Sequence, residues 1–245
     1  MDGTTIGAVA KIKRLRDSDS EIDLHCRVHP IIRALGGQSY VFTMVQYGLD
    51  ANAPPHYRYF ADCAPEWIQI YTYRCWYAID PFLEYARTNL TPSVGSRIEL
   101  ASNGQREMIA TAARYGFKSS LVVPLHGTTQ ETLGLLHVGT DTEPERGGEE
   151  LLEASALIYR LLATEMLDIR LRQLRQHAIE EFGLQPKDLT VLQMAYWNRT
   201  AAEIAATMDL SISTIHALNR EISGKFSTKT LRQAVQIAFT RGLLT

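Results

Sequence analysis

"TAAEIAATMDLSISTIHALNREI", residues 200–222, holds two helical patterns separated by three residues. Thr200 precedes "AAEIAATM" and Glu203 follows it by three positions, the spacing at which side chains and backbone cap a helix start reciprocally. "DLS" (209–211) breaks the pattern, and Ser211 suits the cap of the next helix. There Ile215, Leu218 and Ile222 recur three and four apart and make one apolar face. Ser213, Thr214, His216, Ala217 and Arg220 fall on the other side. A helix with short polar side chains outward, entered through a tight turn, suits a DNA major groove. Arg220 can address guanine or a phosphate, and Ser213 and Thr214 can bond phosphate oxygens with the free N–H groups of the helix start. Arg199, Thr200, Lys225 and Lys229 are further candidate contacts. The same pattern serves a small helical bundle with a solvated face, so it leaves both readings open.

Outward from this stretch, the last 62 residues read as four helices. The first runs from Lys187 to about Trp197. The last, "KTLRQAVQIAFTRG", ends at Gly242. Residues 184–245 carry seven Lys/Arg and four Asp/Glu, or +3; with −2 for the whole chain, the remainder is −5. A mildly basic segment on an acidic body fits nucleic-acid binding without establishing it. Gly183 and Pro186 punctuate the preceding text. The expected organisation is therefore residues 1–175, a linker 176–183, and a helix-turn-helix domain 184–245.

The first part reads as mixed helix and strand. "SYVFTMVQYG" (39–48) and "HYRYFAD" (56–62) are strand text. "SSLVVPLHG" (119–127) and "TLGLLHVGT" (132–140) flank the polar "TTQE" and predict an antiparallel hairpin, with a bulge or sheet edge at Pro124. Helices are expected near 65–75, 79–89, 103–115 and 146–175. "EIDLHCRVHPIIRAL" (21–35) fits a helix imperfectly, and Pro30 should kink or end it. There is no strict βαβ alternation, so the expected class is α+β, an antiparallel sheet covered by helices. No apolar run approaches the ~20 residues of a membrane span, and the N-terminal text does not read as a signal peptide. Cys26, Cys63 and Cys75 show no CxxC spacing, so no disulfide scaffold is expected and a reducing cytoplasm is the natural setting. His25, Cys26 and His29 lack further ligands and read as helix surface, with no metal expected.

"WIQIYTYRCWYAIDP" (67–81) is unusual for core text. It holds two Trp, three Tyr and the lone carboxylate of Asp80. Trp67 and Tyr71, four apart on a helix, face the same way. An indole N–H only donates, a phenol can donate to a second acceptor, and a buried carboxylate needs donors. A charge-assisted bond to that carboxylate is worth ~1.5–3 kcal/mol. Half-buried aromatics with one satisfied polar atom, and an Asp that merely caps the helix after Pro81, would read the same way.

Residues 188–243 resemble the DNA-binding domain of LuxR-type regulators. They keep that family's Val191, Leu192, Thr200, Glu203, Ile204, Ala205, Ser211, Thr214, Gly242 and Leu243. They depart at Met194, Asn198-Arg199, Leu210, Ile215 and Leu218. Trp67, Tyr71 and Asp80-Pro81 match in spacing the acyl-homoserine-lactone receptors of that family. The resemblance implies an N-terminal α-β-α sandwich with the ligand between the sheet and one helical layer. Trp67 would donate to the lactone carbonyl, Tyr71 to the acyl carbonyl, and Asp80 would accept the amide N–H. It also implies a cytoplasmic homodimer, paired through the long helix near 146–175 and the last helix, on double-stranded DNA of two-fold symmetry. RNA polymerase is a further partner it suggests, with no cofactor and no enzymatic activity.

Departures touch the ligand site. Gly95 stands where the family often has Trp, Trp76 is expected to refill that space, and Ser120 replaces a usual Gly. His137 takes a position where Ser or Thr is common and is expected either on an acyl or 3-oxo oxygen or facing solvent. A ligand-free receptor should carry an unpaired Asp80, so that ligand stabilises the fold. A regulator that needs no lactone or senses another small molecule is the alternative. An enzyme using Asp80 and His137 as acid and base lacks a nucleophile elbow or metal cluster.

Overall fold

The structure, a computed structural model, describes residues 3–49, 54–127 and 132–244. Their contacts divide the chain into two compact units, Met1–Val45 with Tyr57–Ile169, and Gln46–His56 with Arg170–Thr245.

The first unit is built on a five-stranded sheet: β1 (Ser39–Gln46), β2 (His56–Asp62), β3 (Ser93–Val94), β4 (Ser119–His126) and β5 (Thr132–Thr140), in the order β2-β1-β5-β4-β3. β4 pairs antiparallel with both β3 and β5. The "TTQE" turn lies outside the described residues. Nearly every residue of β4 and all of β5 are buried, which requires cover on both faces. The register sorts those faces. Ser120, Val122, His137 and Gly139 share one, while Leu121, Val123, Leu136 and Val138 share the other. Pro124 sits within β4 opposite Leu135 without interrupting the pairing.

The helices of this unit are α1 (Gly3–Lys13), α2 (Glu21–Ala34), α3 (Pro65–Tyr73), α4 (Pro81–Thr88), α5 (Asn103–Ala112) and α6 (Gly148–Glu153). α7 (Ala156–Glu181) begins in it. Gly37 shows how close the α2 and α7 layer lies to the Val138 face: a Cβ there would meet Val138, Ile32 and Tyr159. The Tyr159 hydroxyl holds the same turn, accepting from the Gly37 N–H and donating to the Leu35 carbonyl, each at 3.1 Å. On the opposite face His137 packs against Phe82 of α4. The result is the α-β-α sandwich.

Several expectations need correction. α2 runs through Pro30 to Ala34. Cys26, whose carbonyl loses its intrahelical donor, is exposed, so water can replace that bond. The helix expected over 146–175 is two helices, because the chain turns at Ala154 and Ser155. Residues 176–181, read as linker, are the last turns of α7. α1 and the two-residue β3 were not anticipated.

The second unit contains α8 (Pro186–Tyr196), α9 (Ala201–Met208), α10 (Ile212–Lys225) and α11 (Leu231–Thr240). Val191, Leu192, Ile204, Ile215, Leu218, Ile222 and Phe226 join one core. Thr200 and Glu203 form the capping box, and Ser211 caps α10 by accepting from the Thr214 N–H at 3.1 Å. Asp209, at φ 52°, makes the left-handed step that lets the Leu210 N–H reach Ala205 O at 2.9 Å and close the turn.

Gly139 is a close approach point of the first unit. A Cβ there would lie 2.6 Å from the Gly116 carbonyl oxygen and 2.3 Å from Phe117 Cδ1, both too close. Gly139→Ala is expected to destabilise the unit by about 1–3 kcal/mol, seen as a lower midpoint in chemical denaturation. An unchanged midpoint would contradict this packing.

Candidate functional site

The site begins at the start of α4. Asp80 is its N-cap: one carboxylate oxygen accepts from the Phe82 N–H at 2.8 Å and from the Leu83 N–H at 3.4 Å. The other accepts from the Tyr71 hydroxyl at 2.7 Å. Tyr71 reaches it from α3, across the 3-10 turn Trp76–Ala78 that left-handed Cys75 introduces. Burial raises the Asp80 pKa above the ordinary carboxylate value, against the lowering effect of Tyr71, Phe82 and Leu83. Burial first, and the Asp80 charge second, hold the Tyr71 phenol well above its usual value.

Around this pair stands a continuous aromatic layer. The Trp67 ring lies 5.6 Å from Tyr71, 5.7 Å from Trp76, 6.5 Å from Tyr115 and 6.2 Å from Phe117. Phe117 in turn stacks on His137 at 4.5 Å, and Phe82 meets the other side of that imidazole edge-on at 4.8 Å. Trp67, Tyr71, Trp76, Asp80 and His137 therefore all belong to one layer between the sheet and α3–α5.

His137 does not face solvent. It is buried, its Nε2 lies 2.9 Å from Ser120 Oγ, and burial pushes its pKa down to about 3, so the ring is neutral. Gly95 opens no wide gap: a Cβ there would already lie 3.1 Å from Ser120 Cβ and 3.4 Å from Phe82 Cζ. Asp80 is not unpaired: three donors of its own chain reach its carboxylate. Tyr115, Phe117 and Phe82 were missed by sequence reasoning. Phe117 follows Gly116, whose φ of 94° aims it back over the sheet, and neither residue carries a periodicity that would have flagged it.

In the second unit Ser213, Thr214, His216, Ala217 and Arg220 are exposed on α10, while Ile215, Leu218 and Ile222 are buried. A cleft of about 460 Å³ beside that face is lined by His216, Asn219, Arg220, Lys229 and Thr230 among others. Arg199 is exposed and pairs with Glu203 at 3.2 Å. The Thr200 hydroxyl serves its own capping box, donating to Glu203 at 2.8 Å. Lys225, expected on DNA phosphates, has its Nζ 2.7 Å from the fully buried Asp188 and 3.2 Å from Glu221, with 20% of its side chain exposed.

Residues 23–168 match the family model described as Autoinducer binding domain. The chain belongs to that family. The aromatic layer and Asp80 lie inside the matched residues. The chain is similar to the transcriptional activator protein AhyR of Aeromonas hydrophila, with 24% identity over 192 residues, 76% of this chain and 72% of that one. Likeness to VanR of Vibrio anguillarum is 25% over 179 residues, 73% of each. Among solved structures, SdiA in complex with octanoyl-rac-glycerol superposes with a TM-score of 0.72 at 16% identity, covering 98% of this chain and 96% of that one. CepR2 from Burkholderia cenocepacia, a transcription factor dependent on N-acylhomoserine lactone, gives 0.56 at 15%, covering 66% and 93%. At these identities the structural likeness speaks to the fold alone, which this chain shares with SdiA and CepR2.

Two predictions follow from the geometry of this site. Asp80→Ala removes a helix cap worth about 1 kcal/mol and strands the Tyr71 hydroxyl at about 1–3 kcal/mol. Asp80→Asn keeps the acceptor and drops a charge that burial disfavours. In urea denaturation the alanine variant should lose clearly more stability than the asparagine variant; equal losses would deny the cap and the phenol bond. For His137 the folded pKa is depressed below the unfolded value, so its contribution is complete above about pH 6.5 and is lost as pH falls toward 3. The slope is at most about 1.4 kcal/mol per pH unit. Asp80, shifted up, works in the opposite sense. His137→Gln should therefore flatten the loss of stability between pH 6.5 and 5 relative to the unaltered protein, as read from unfolding midpoints across that range.

Proposed function

We propose that this protein is a ligand-responsive transcriptional regulator that binds an N-acyl-homoserine lactone in its first unit and double-stranded DNA through α10. The observation that carries the reading is the meeting of Trp67, Tyr71 and Asp80 in one aromatic layer of an autoinducer-binding domain. The polar groups match such a head group in kind. The Trp67 indole donates to the ring carbonyl. The ligand amide N–H takes the place of the Tyr71 proton on Asp80, which frees the phenol to donate to the acyl carbonyl. The Asp80 carboxylate and the Tyr71 hydroxyl each keep a partner before and after this exchange, so at these two groups ligand entry replaces one satisfied arrangement by another. Trp76, Phe117 and Phe82 offer apolar surface to the acyl chain. The neutral His137–Ser120 pair offers it a hydrogen bond where the chain carries an oxygen.

For DNA, the exposed Ser213, Thr214, His216, Ala217 and Arg220 face the groove, with Arg199, Thr200 and Lys229 toward the phosphates. The ligand-binding domain spans 1–175 and the DNA-binding domain 184–245. Leu157 and Leu161, four apart on α7, are exposed and supply an apolar stripe for a homodimer. The relatives are named as activators, which favours RNA polymerase as a further partner and the cytoplasm as the place of action. Among the described residues no helix is long and apolar enough to cross a membrane. A regulator indifferent to lactones is the less favoured reading, since it leaves the convergence of three polar side chains in an aromatic layer without a use.

Thermal denaturation across a panel of N-acyl-homoserine lactones tests the proposal. A binding lactone at 100 times its Kd adds about 2.7 kcal/mol of stability, and Trp67→Phe, which removes the indole donor, should abolish most of that shift. No shift with any lactone would refute the ligand, and loss of lactone on incubation would point to an enzyme.

A further inference from the structure

Lys225 closes α10, and its ammonium reaches back to α8. Asp188, the third residue of α8, is completely buried. Its Oδ2 accepts from the Gln185 N–H at 2.8 Å and from Lys225 Nζ at 2.7 Å. Lys225 also meets Glu221 at 3.2 Å, and Glu221 lies 4.0 Å from Lys187. The chain of charges therefore runs from the first turn of α8 to the last turn of α10. A carboxylate taken fully out of water is tolerated only when paired, and removing its cation leaves an uncompensated charge inside. A cation in the last turn of α10 is also favoured by the helix dipole.

We propose that Lys225 is a positioning residue: by neutralising Asp188 it fixes α10 against α8, and so holds Arg220 and its neighbours in register with DNA, without itself contacting a phosphate. This rests on the DNA-binding reading of α10. Two observations separate Lys225 from a phosphate ligand. Four-fifths of its side chain is covered, whereas Arg220 and Lys229 are exposed. Its ammonium already donates to two carboxylates, which would have to be released for it to turn outward.

The test uses the full chain and a random-sequence DNA duplex, with affinity measured against salt concentration. Each phosphate contact contributes about 0.9 to the slope of log affinity against log salt. Lys229→Ala, at a residue placed toward the phosphates, should lower the slope by about that amount, and Arg220→Ala should weaken binding; if neither variant changes binding, the DNA-binding reading of α10 fails, independently of Lys225. Lys225→Met should weaken binding about tenfold or more with the slope unchanged, because it acts on the fold of the unit. Asp188→Asn combined with Lys225→Met removes both charges and should restore affinity to within about threefold, the coupling expected of a directly paired set. Its thermal stability should exceed that of Lys225→Met. A double variant with a slope reduced by about 0.9, or no tighter in binding or no more stable than Lys225→Met, would overturn the proposal.

Discussion

The carboxylate of Asp80 accepts three hydrogen bonds at once: two from the start of α4 and one from the Tyr71 phenol. That single group joins three pieces of chain. It ends the turn after α3, it starts α4, and it draws Tyr71 toward the sheet. α4 then places Phe82 against His137, and Tyr71 sits beside Trp67, whose ring touches Trp76, Tyr115 and Phe117. A helix cap and the polar centre of the aromatic layer are thus the same atoms. Reading Asp80 as either a structural cap or a ligand contact sets up a false choice, since a carboxylate has lone pairs enough for both.

The electrostatics of the layer follow from burial. Asp80 is held above its usual pKa and His137 far below, in both cases because the aromatic surroundings disfavour the charged form. The imidazole is consequently a neutral hydrogen-bonding group beside Ser120 rather than a cation, and the carboxylate is eased by donors rather than by a counter-charge. Such surroundings favour uncharged groups, held by hydrogen bonds and apolar contact.

In the helical unit, polar residues divide between holding the fold and facing outward. Thr200, Glu203, Ser211 and Asp188 satisfy backbone donors at helix starts. Lys225 answers the one of these that is buried and charged. What remains free on α10 is a face of short side chains around Arg220, presented by a turn whose geometry depends on Asp209 in the left-handed region.

The amino-acid sequence by itself determined the local events. Capping residues, the three-and-four spacing of Ile215, Leu218 and Ile222, β-branched strand text and the Trp67–Tyr71 spacing depend only on near neighbours, so the helix-turn-helix, four of five strands and the pairing of those aromatics were legible. Tertiary structure decided whatever depends on solvent or on distant partners. Pro30 could stay inside α2 because Cys26, whose carbonyl it orphans, is exposed. His137 could be told from a solvent-facing histidine only once Phe82 and Phe117 were seen on either side of it. Lys225 looked like a surface cation until Asp188, 37 residues away, proved to be buried beneath it. Charge and spacing are properties of the chain, but burial belongs to the fold, and burial sets what each polar group here is able to do.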